Sequence, residues 1–267
     1  MRGTLATSLA MAIFWMASAT ADAMDDIKCW FPPSWKAQRE RALNIAKSLT
    51  ENSGVTVRPR IARYYPEILD AFSAGAPALV YAGSFVQVII HSRGLGTPLV
   101  QNVDGKAFYS GIMIYPGDAD PEAILRHHPE AVAFAKGSSS GESSAKAATG
   151  GKAAVTVGSH AVAAAAVVSG KAKAAFVKNW WWEANRSQFP TLAVYRAPGI
   201  SVEKNPGNVL TASKAVPVDL ARRFAEAAVA GKAAFGAPAM APFDAQHLKF
   251  SLDLMKKGGI DPLSYPW

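Results

Sequence analysis

The sequence predicts an α/β chain folded as two similarly built lobes with a cleft between them. Three observations carry that expectation. Short apolar runs alternate with amphipathic runs along nearly the whole chain. Half of the 267 residues are hydrophobic, enough to fill one large domain or two modest lobes. Two stretches also share one layout, "YPEILDAFSAGAPALVYAGS" (Tyr65 to Ser84) and "HAVAAAAVVSGKAKAAFVKN" (His160 to Asn179). Each reads as a short helix ending at a glycine, a tight turn, an apolar strand and a polar loop. Aligning Gly75 with Gly170 sets Tyr65 opposite His160, each at a helix start, so each lobe aims a polar side chain at a shared cleft.

The chain opens "MRGTLATSLAMAIFWMASATADAMDD". One early charge, Arg2, precedes an uncharged stretch from Gly3 to Ala21 that Thr and Ser interrupt too often for a comfortable membrane span. Small residues repeat at the −3/−1 spacing as Ala17/Ala19, Ala19/Ala21 and Ala21/Ala23. The pattern predicts a secretory signal over 1–23, cleaved near Ala19 to Ala23, with an uncleaved anchor as the competing reading. No later stretch reads as a span, so the mature protein is expected to be exported and soluble. Cys29 is the only cysteine, which forbids an intramolecular disulfide and leaves stability to the core. The charged "DDIK" before it does not fit a lipoprotein cleavage site, and a buried structural thiol is the expectation.

"DIKCWF" reads as the first strand. "WKAQRERALNIAKSLTENSG" reads as a helix with Ala42, Ile45, Ala46 and Leu49 on one face and Gly54 as its stop. "VTVRPRIA", "ALVYAG", "GIMIY", "AVAFA", "AAVTVG", "AAFV", "TLAVYRA" and "NVLTAS" read as further strands. Two late helices are expected, in "PVDLARRFAEAAVAGKAAF" behind Pro217 and in "DAQHLKFSLDLMKKGG". "YPGDADP" and "APGISVEKNPGN" are loop chemistry.

The net charge of +8 favours anionic ligands in general. Its Lys and Arg are dispersed, without the aromatic-basic interleaving of a nucleic-acid reader, so no nucleic-acid partner is expected. Metal ligation is not expected either: His127 and His128 sit beside Pro129 in a solvated loop, and no His/Cys/carboxylate spacing fits a site. A soft oxyanion such as arsenite at Cys29 would need a second soft ligand, which the sequence does not show.

The order of "YYPEILDAFSAGAPALVYAGS", "QNVDGKAFYSGIMI", "GSSSGESSAK" and "GSHAVAAAAVVSGKAKAAF" resembles the periplasmic phosphonate/phosphate/phosphite-binding proteins of ABC importers, over most of the chain from the first strand to about Ser213. The resemblance implies a two-lobed periplasmic-binding-protein-like fold, with a ligand cleft between lobes joined by a hinge. It implies an oxyanion cradle at Ser138, Ser139 and Ser140, a histidine at His160, and opposing aromatics at Tyr65 and at Tyr81 or Tyr109. It also implies no cofactor, a monomer, and importer membrane subunits as partners, with a membrane sensor kinase as the alternative. The expected divisions are 24–114 with 205–267 as the first lobe and 115–204 as the second. The chain then leaves the first lobe after Ile114 and returns near Asn205.

Three chemistries compete for "AFAKGSSSGESSAKAATGG". A nucleotide P-loop needs Gly-Lys-Ser/Thr, and here Glu142 follows Gly141, repelling phosphates. A serine hydrolase would use Ser139 as nucleophile with Asp219 and His247 in the Ser…Asp…His order, but no oxyanion loop precedes the serine. A cradle for an anion needs only hydroxyls and the free N–H groups of a helix start. In that reading Glu142 faces solvent and complements the dipole, and His160 donates best when protonated.

"NWWWEANRSQF" places three adjacent tryptophans after a second-lobe strand. They cannot all point one way, so Trp180 or Trp181 is expected to bound the pocket while the others pack. Aminoalkylphosphonate binders of the resembled family place carboxylates against the ligand's ammonium. The nearest matching positions here are Lys173, Trp180, Gly207 and Asn208, with Glu183 and Glu203 as the residues that could substitute. The expected ligand is therefore phosphate, phosphite or a simple phosphonate.

Overall fold

The computed structural model describes residues 26–103 and 105–267. The expected signal segment, 1–23, lies outside them. β1 (Ile27–Phe31) turns Ile27, Cys29 and Phe31 into the core, which makes Cys29 a buried free thiol. α1 (Arg39–Ser53) lays Ala42, Ile45, Ala46 and Leu49 on the same core. It stops where Gly54 turns left-handed at φ 70 and its N–H closes on Thr50 O. β2 (Val57–Ile61), α2 (Pro66–Ser73), β3 (Ala78–Ala82), α3 (Ser84–Ser92) and β4 (Gly96–Asn102) follow. β3 is buried at every residue, as a strand covered on both faces must be.

The short β5 (Phe108–Tyr109) leads into the second lobe. That lobe holds β6 (Gly111–Pro116), α4 (Pro121–His127) and β7 (Val132–Ala135). A π-helical turn over Ser139–Ser143 then runs into α5 (Ser144–Ala148). β8 (Val155–Val157), α6 (His160–Val168), β9 (Ala174–Lys178), α7 (Asn179–Asn185) and β10 (Leu192–Tyr195) complete it. The chain returns through β11 (Asn205–Pro206) to β12 (Val209–Ser213), α8 (Val218–Ala230), β13 (Met240–Pro242) and α9 (Lys249–Lys257).

The first sheet runs β13-β4-β12-β3-β1-β2 and the second β10-β6-β9-β7-β8. Both follow one plan. β1 lies parallel between β2 and β3, as β7 lies between β8 and β9. β12 then closes on β3 antiparallel, as β6 does on β9. The two echoing stretches, α2–β3 and α6–β9, fall at equivalent places in that plan. β5 and β11 pair antiparallel, Tyr109 opposite Asn205, so the two crossings between lobes run side by side.

The first crossing falls before Gly111, not after Ile114. Residues Gly111 to Ile114 pair with β9, and Met113 and Ile114 lie in second-lobe clusters. An apolar run such as "GIMIY" carries no mark of which sheet it will join. α9 belongs to both lobes: Met255 packs in a first-lobe cluster and Leu254 in a second-lobe one. The inner strand β4, the edge strand β13 and the crossing strands β5 and β11 had no strand signal, being short or interrupted by Pro and Gly.

Gly111 marks the closest approach of β6 to the serine turn. A Cβ there would stand 2.2 Å from Ser144 Oγ and 2.6 Å from Ser140 O. Gly111→Ala is expected to cost about 1–3 kcal/mol of stability by overpacking, read from the urea unfolding midpoint. Gly158→Ala, where a Cβ meets nothing within 4 Å, is the near-neutral control. Equal midpoints would show that the turn is not locked against β6.

Candidate functional site

A small cavity of about 160 Å³ lies between the lobes. The first lobe lines it with Ser34 and Trp35 after β1, Tyr65 at the head of α2, and Gly83, Phe85 and Val86 at the head of α3. The second lobe contributes Ser138, Ser139, Ser140, His160 and Lys178. Tyr109 enters from the first crossing and Asn208 from the return.

Local sequence builds the cradle. Two residues past the end of β7, Gly137 turns left-handed at φ 71. A Cβ there would meet Trp267 Cζ3 at 2.6 Å and Tyr65 Cε2 at 3.0 Å, so glycine is required on both counts. Ser138 then caps the π-helical turn: its Oγ accepts from Gly141 N at 3.1 Å and donates to Ala135 O at 2.8 Å. Its hydroxyl is therefore occupied in shaping the turn. The first N–H groups of that turn, and of α3 behind Gly83, precede any carbonyl of their own helix; that of Gly141 is taken by Ser138, while Ser139, Ser140, Phe85 and Val86 line the cavity. Two helix starts thus face one space from opposite lobes, which suits a negative charge.

A chain of hydroxyls crosses the cleft. Ser84 Oγ donates to Ser139 Oγ at 2.9 Å, which makes Tyr109 the donor in its 2.7 Å bond with Ser84. Ser139 accepts from Ser84 in that chain and also lies within hydrogen-bonding reach of Tyr109. Burial pushes the Tyr109 phenol up, and that of Tyr65 up to about 12, so both stay donors at neutral pH. Ser140 Oγ lies 3.4 Å from His160 Nε2.

His160 does not carry the charge expected of it. Burial, with the nearby Lys178 charge, pushes its imidazole down to about 4. It is neutral at pH 7, and its Nδ1 is buried without a hydrogen-bond partner. Glu142 does not face solvent: it is 4 % exposed, and its Oε2 accepts from Gly137 N at 2.8 Å and from Tyr265 Oη at 2.6 Å. The partner that draws it inward is far along the chain, beyond any local signal.

Of the opposing aromatics, Tyr65 and Tyr109 reach the cavity and Tyr81 does not. The Tyr81 ring packs edge-on against Trp35 and Phe235 in the first-lobe core. Side chains alternate across β3, and Tyr81 falls on the face opposite Val80 and Ala82, which pack in a different cluster. Trp180 does not line the cavity either. It sits behind Lys178, its ring 5.6 Å from Tyr109. Trp181 leans on His160 and Phe189, and Trp182 is buried in the second lobe. Lys178 and Trp35 in the wall, and Ser84 bonded to the wall residue Ser139, went unforeseen. The internal echo held the signal for two of them: its register sets Lys178 opposite Gly83 and Asn179 opposite Ser84.

No hydrogen bond joins Ser139 to Asp219 or His247 in the described chain. The His247 ring packs against Phe108 and Phe243, and Asp219 lies in the first turn of α8. Among the described residues no group of three or more His, Cys, Asp or Glu side chains could hold a metal.

A two-lobed α/β chain with a polar cavity between its lobes has the architecture of a solute-binding protein. Residues 34–249 match the family described as "ABC transporter, phosphonate, periplasmic substrate-binding protein". The chain belongs to that family of periplasmic, phosphonate-binding components of ABC transporters. No curated protein matches it in sequence. Among solved structures it is similar to PhnD1 from Prochlorococcus marinus in complex with methylphosphonate. That match has 16% identity and a TM-score of 0.67, covering 87% of this chain and 98% of the other. A binding-protein component of an ABC phosphonate transporter from Pseudomonas aeruginosa matches at 17% identity, TM-score 0.64, with 87% of each chain covered. A Xanthomonas citri protein bound to ATP matches at 13% identity and TM-score 0.69, covering 88% of this chain and 97% of the other. At these identities the likeness is one of fold.

The depressed His160 makes a stability prediction with a definite sign. Its folded value, about 4, lies below the ordinary 6.5, so the unfolded chain takes the proton first as pH falls. Stability is therefore lost between about pH 6.5 and pH 4 and flattens below. Melting temperature followed from pH 7 to 4 is expected to fall more steeply for the wild type than for His160→Gln. Parallel curves would place the His160 ring in contact with water.

Proposed function

We propose that this protein captures a small tetrahedral oxyanion without an ammonium group and passes it to the membrane subunits of an ABC importer. Phosphate, phosphite and methylphosphonate are the candidates, and the protein does no chemistry on them. It acts as an exported monomer whose signal is removed near Ala19 to Ala23. The observation that carries this reading is the wall itself: two helix starts line it from opposite lobes, and no carboxylate among the described residues does. Glu183 and Glu203 are exposed, and Glu203 Oε1 accepts from Asn179 Nδ2 at 3.0 Å. A desolvated ligand ammonium would find no partner, a cost of several kcal/mol. The cavity also lies below the roughly 300–1,000 Å³ that drug-sized ligands occupy, so a nucleotide such as that held by the Xanthomonas protein does not fit it.

Side-by-side calorimetry at one pH and salt tests the choice of ligand. Methylphosphonate is expected to bind at least about tenfold more tightly than 2-aminoethylphosphonate, about 1.4 kcal/mol. Tighter binding of the aminoalkyl ligand would overturn the carboxylate argument and make Glu183 or Glu203 the first residue to mutate.

Ser139 is expected to bind and not to attack. Ser139→Ala should weaken oxyanion binding by about 1–3 kcal/mol, the scale of one charge-assisted hydrogen bond. A fluorophosphonate probe should leave the wild type unlabelled, and stoichiometric label on Ser139 would favour a hydrolase instead.

A further inference from the structure

Among the described residues, the cavity wall holds a single Lys or Arg side chain, Lys178, at the end of β9. Its Nζ stands 4.0 Å from the ring centre of Tyr109 and 4.3 Å from that of Trp180. The two rings come from the crossing strand β5 and from α7, so the ammonium is gripped from two elements. A ring face offers a quadrupole and not a formal charge, which steadies the lysine without neutralising it. No carboxylate pairs with Lys178 among the described residues, whose four ion pairs all lie elsewhere.

We propose that Lys178, held by Tyr109 and Trp180, is the formal counter-charge of the bound oxyanion and makes its capture consume a proton. This rests on the oxyanion reading of the cavity and adds to it the residue that matches the ligand's charge.

The surroundings support it from every side. The titratable groups that face Lys178 are Tyr109 from β5, His160 from the head of α6, and the exposed Lys106 ahead of β5, with Tyr65 beyond Tyr109. None is acidic. Glu203, the acid engaged with neighbouring Asn179, is exposed and already accepts that side chain's N–H. Burial first, and then Lys106, push the Lys178 ammonium down to about 7. The free protein therefore holds this charge only in part at neutral pH. An anion arriving beside it favours the charged form, so binding draws a proton onto Lys178. His160, pushed to about 4, cannot supply that charge. Trp180 serves as a positioning residue for the ammonium, which gives a use to a tryptophan that does not touch the cavity. A ligand carrying its own ammonium meets a like charge here, while a dianion gains more than a monoanion.

Calorimetry with methylphosphonate at pH 8, repeated in buffers of different ionisation enthalpy, counts the protons taken up. The ligand's own protonation cancels when the wild type is compared with Lys178→Met and Lys178→Arg. The wild type is expected to take up about one proton more than either variant. Lys178→Met should also bind at least about tenfold more weakly, the scale of a lost charge-assisted bond. Should neither variant fold, the wild type alone decides. Above the ligand's second ionisation its affinity should still fall, by up to about tenfold per pH unit. Equal proton uptake in all three proteins, unchanged affinity in Lys178→Met, or a flat wild-type profile overturns the proposal. A wild type that binds no small oxyanion at all would instead overturn the functional reading on which it rests.

Discussion

The 2.9 Å hydrogen bond from Ser84 to Ser139 joins the start of a first-lobe helix to the start of a second-lobe helical turn. The site depends on that meeting. It brings two helix starts to one space, and it fixes the direction of the hydroxyl chain from Tyr109 through Ser84 to Ser139. Each lobe alone would present half a cradle to water, where an oxyanion gains little over hydration. The plan repeated in both sheets explains why the halves match. In each, a parallel strand ends at the cleft and a helix begins there, and the side-by-side crossings at Tyr109 and Asn205 hold the two ends together.

Charge is used sparingly at this site. The chain carries +8 overall, yet among the described residues only one Lys or Arg side chain and no carboxylate line the cavity. An array of buried cations would repel itself in the free protein and be costly to desolvate. Partial charges from helix starts carry no such penalty, since the backbone dipoles are fixed by folding. The neutral His160 belongs to the same economy. Beside Lys178 in a buried wall, a second full positive charge is the state that burial and repulsion both disfavour.

What the sequence revealed, and what it hid, divides along physical lines. The serine run, His160 and Tyr65 were legible because local rules govern them: a cap after a strand, and a polar residue at a helix start. Tyr81 was misplaced because a strand exposes alternate faces, and a buried strand such as "ALVYA" offers no polar alternation to show which face meets the cleft. Lys178 was hidden for a different reason. The echo sets it opposite Gly83, but a lysine at the end of an apolar strand ordinarily marks the exit to solvent. Only the rings of Tyr109 and Trp180, supplied by other elements, hold it in the wall. Glu142 shows the strongest version of this limit. One place after a glycine in a serine-rich loop it reads as a solvated acid, and Tyr265, 123 residues away, turns it inward.

That distant partner also bears on how the lobes hold together. α9 gives Met255 to the first lobe and Leu254 to the second, so the segment leading to Tyr265 is anchored on both. Trp267 stacks on Tyr65 with ring centres 4.5 Å apart and closes over Gly137. The serine loop is therefore held from two sides, by Ser84 from the head of α3 and by Tyr265 through Glu142. Any separation of the first sheet from the second must break the Ser84–Ser139 bond, because its two hydroxyls belong to different lobes. The Tyr265–Glu142 bond can survive only if α9 moves with the second lobe, and that would pull Met255 from its first-lobe cluster. The bond that completes the cradle is thus the cheaper one to break, a single exposed-on-opening hydroxyl pair against the loss of buried apolar packing. Opening is easiest where an anion would have to enter.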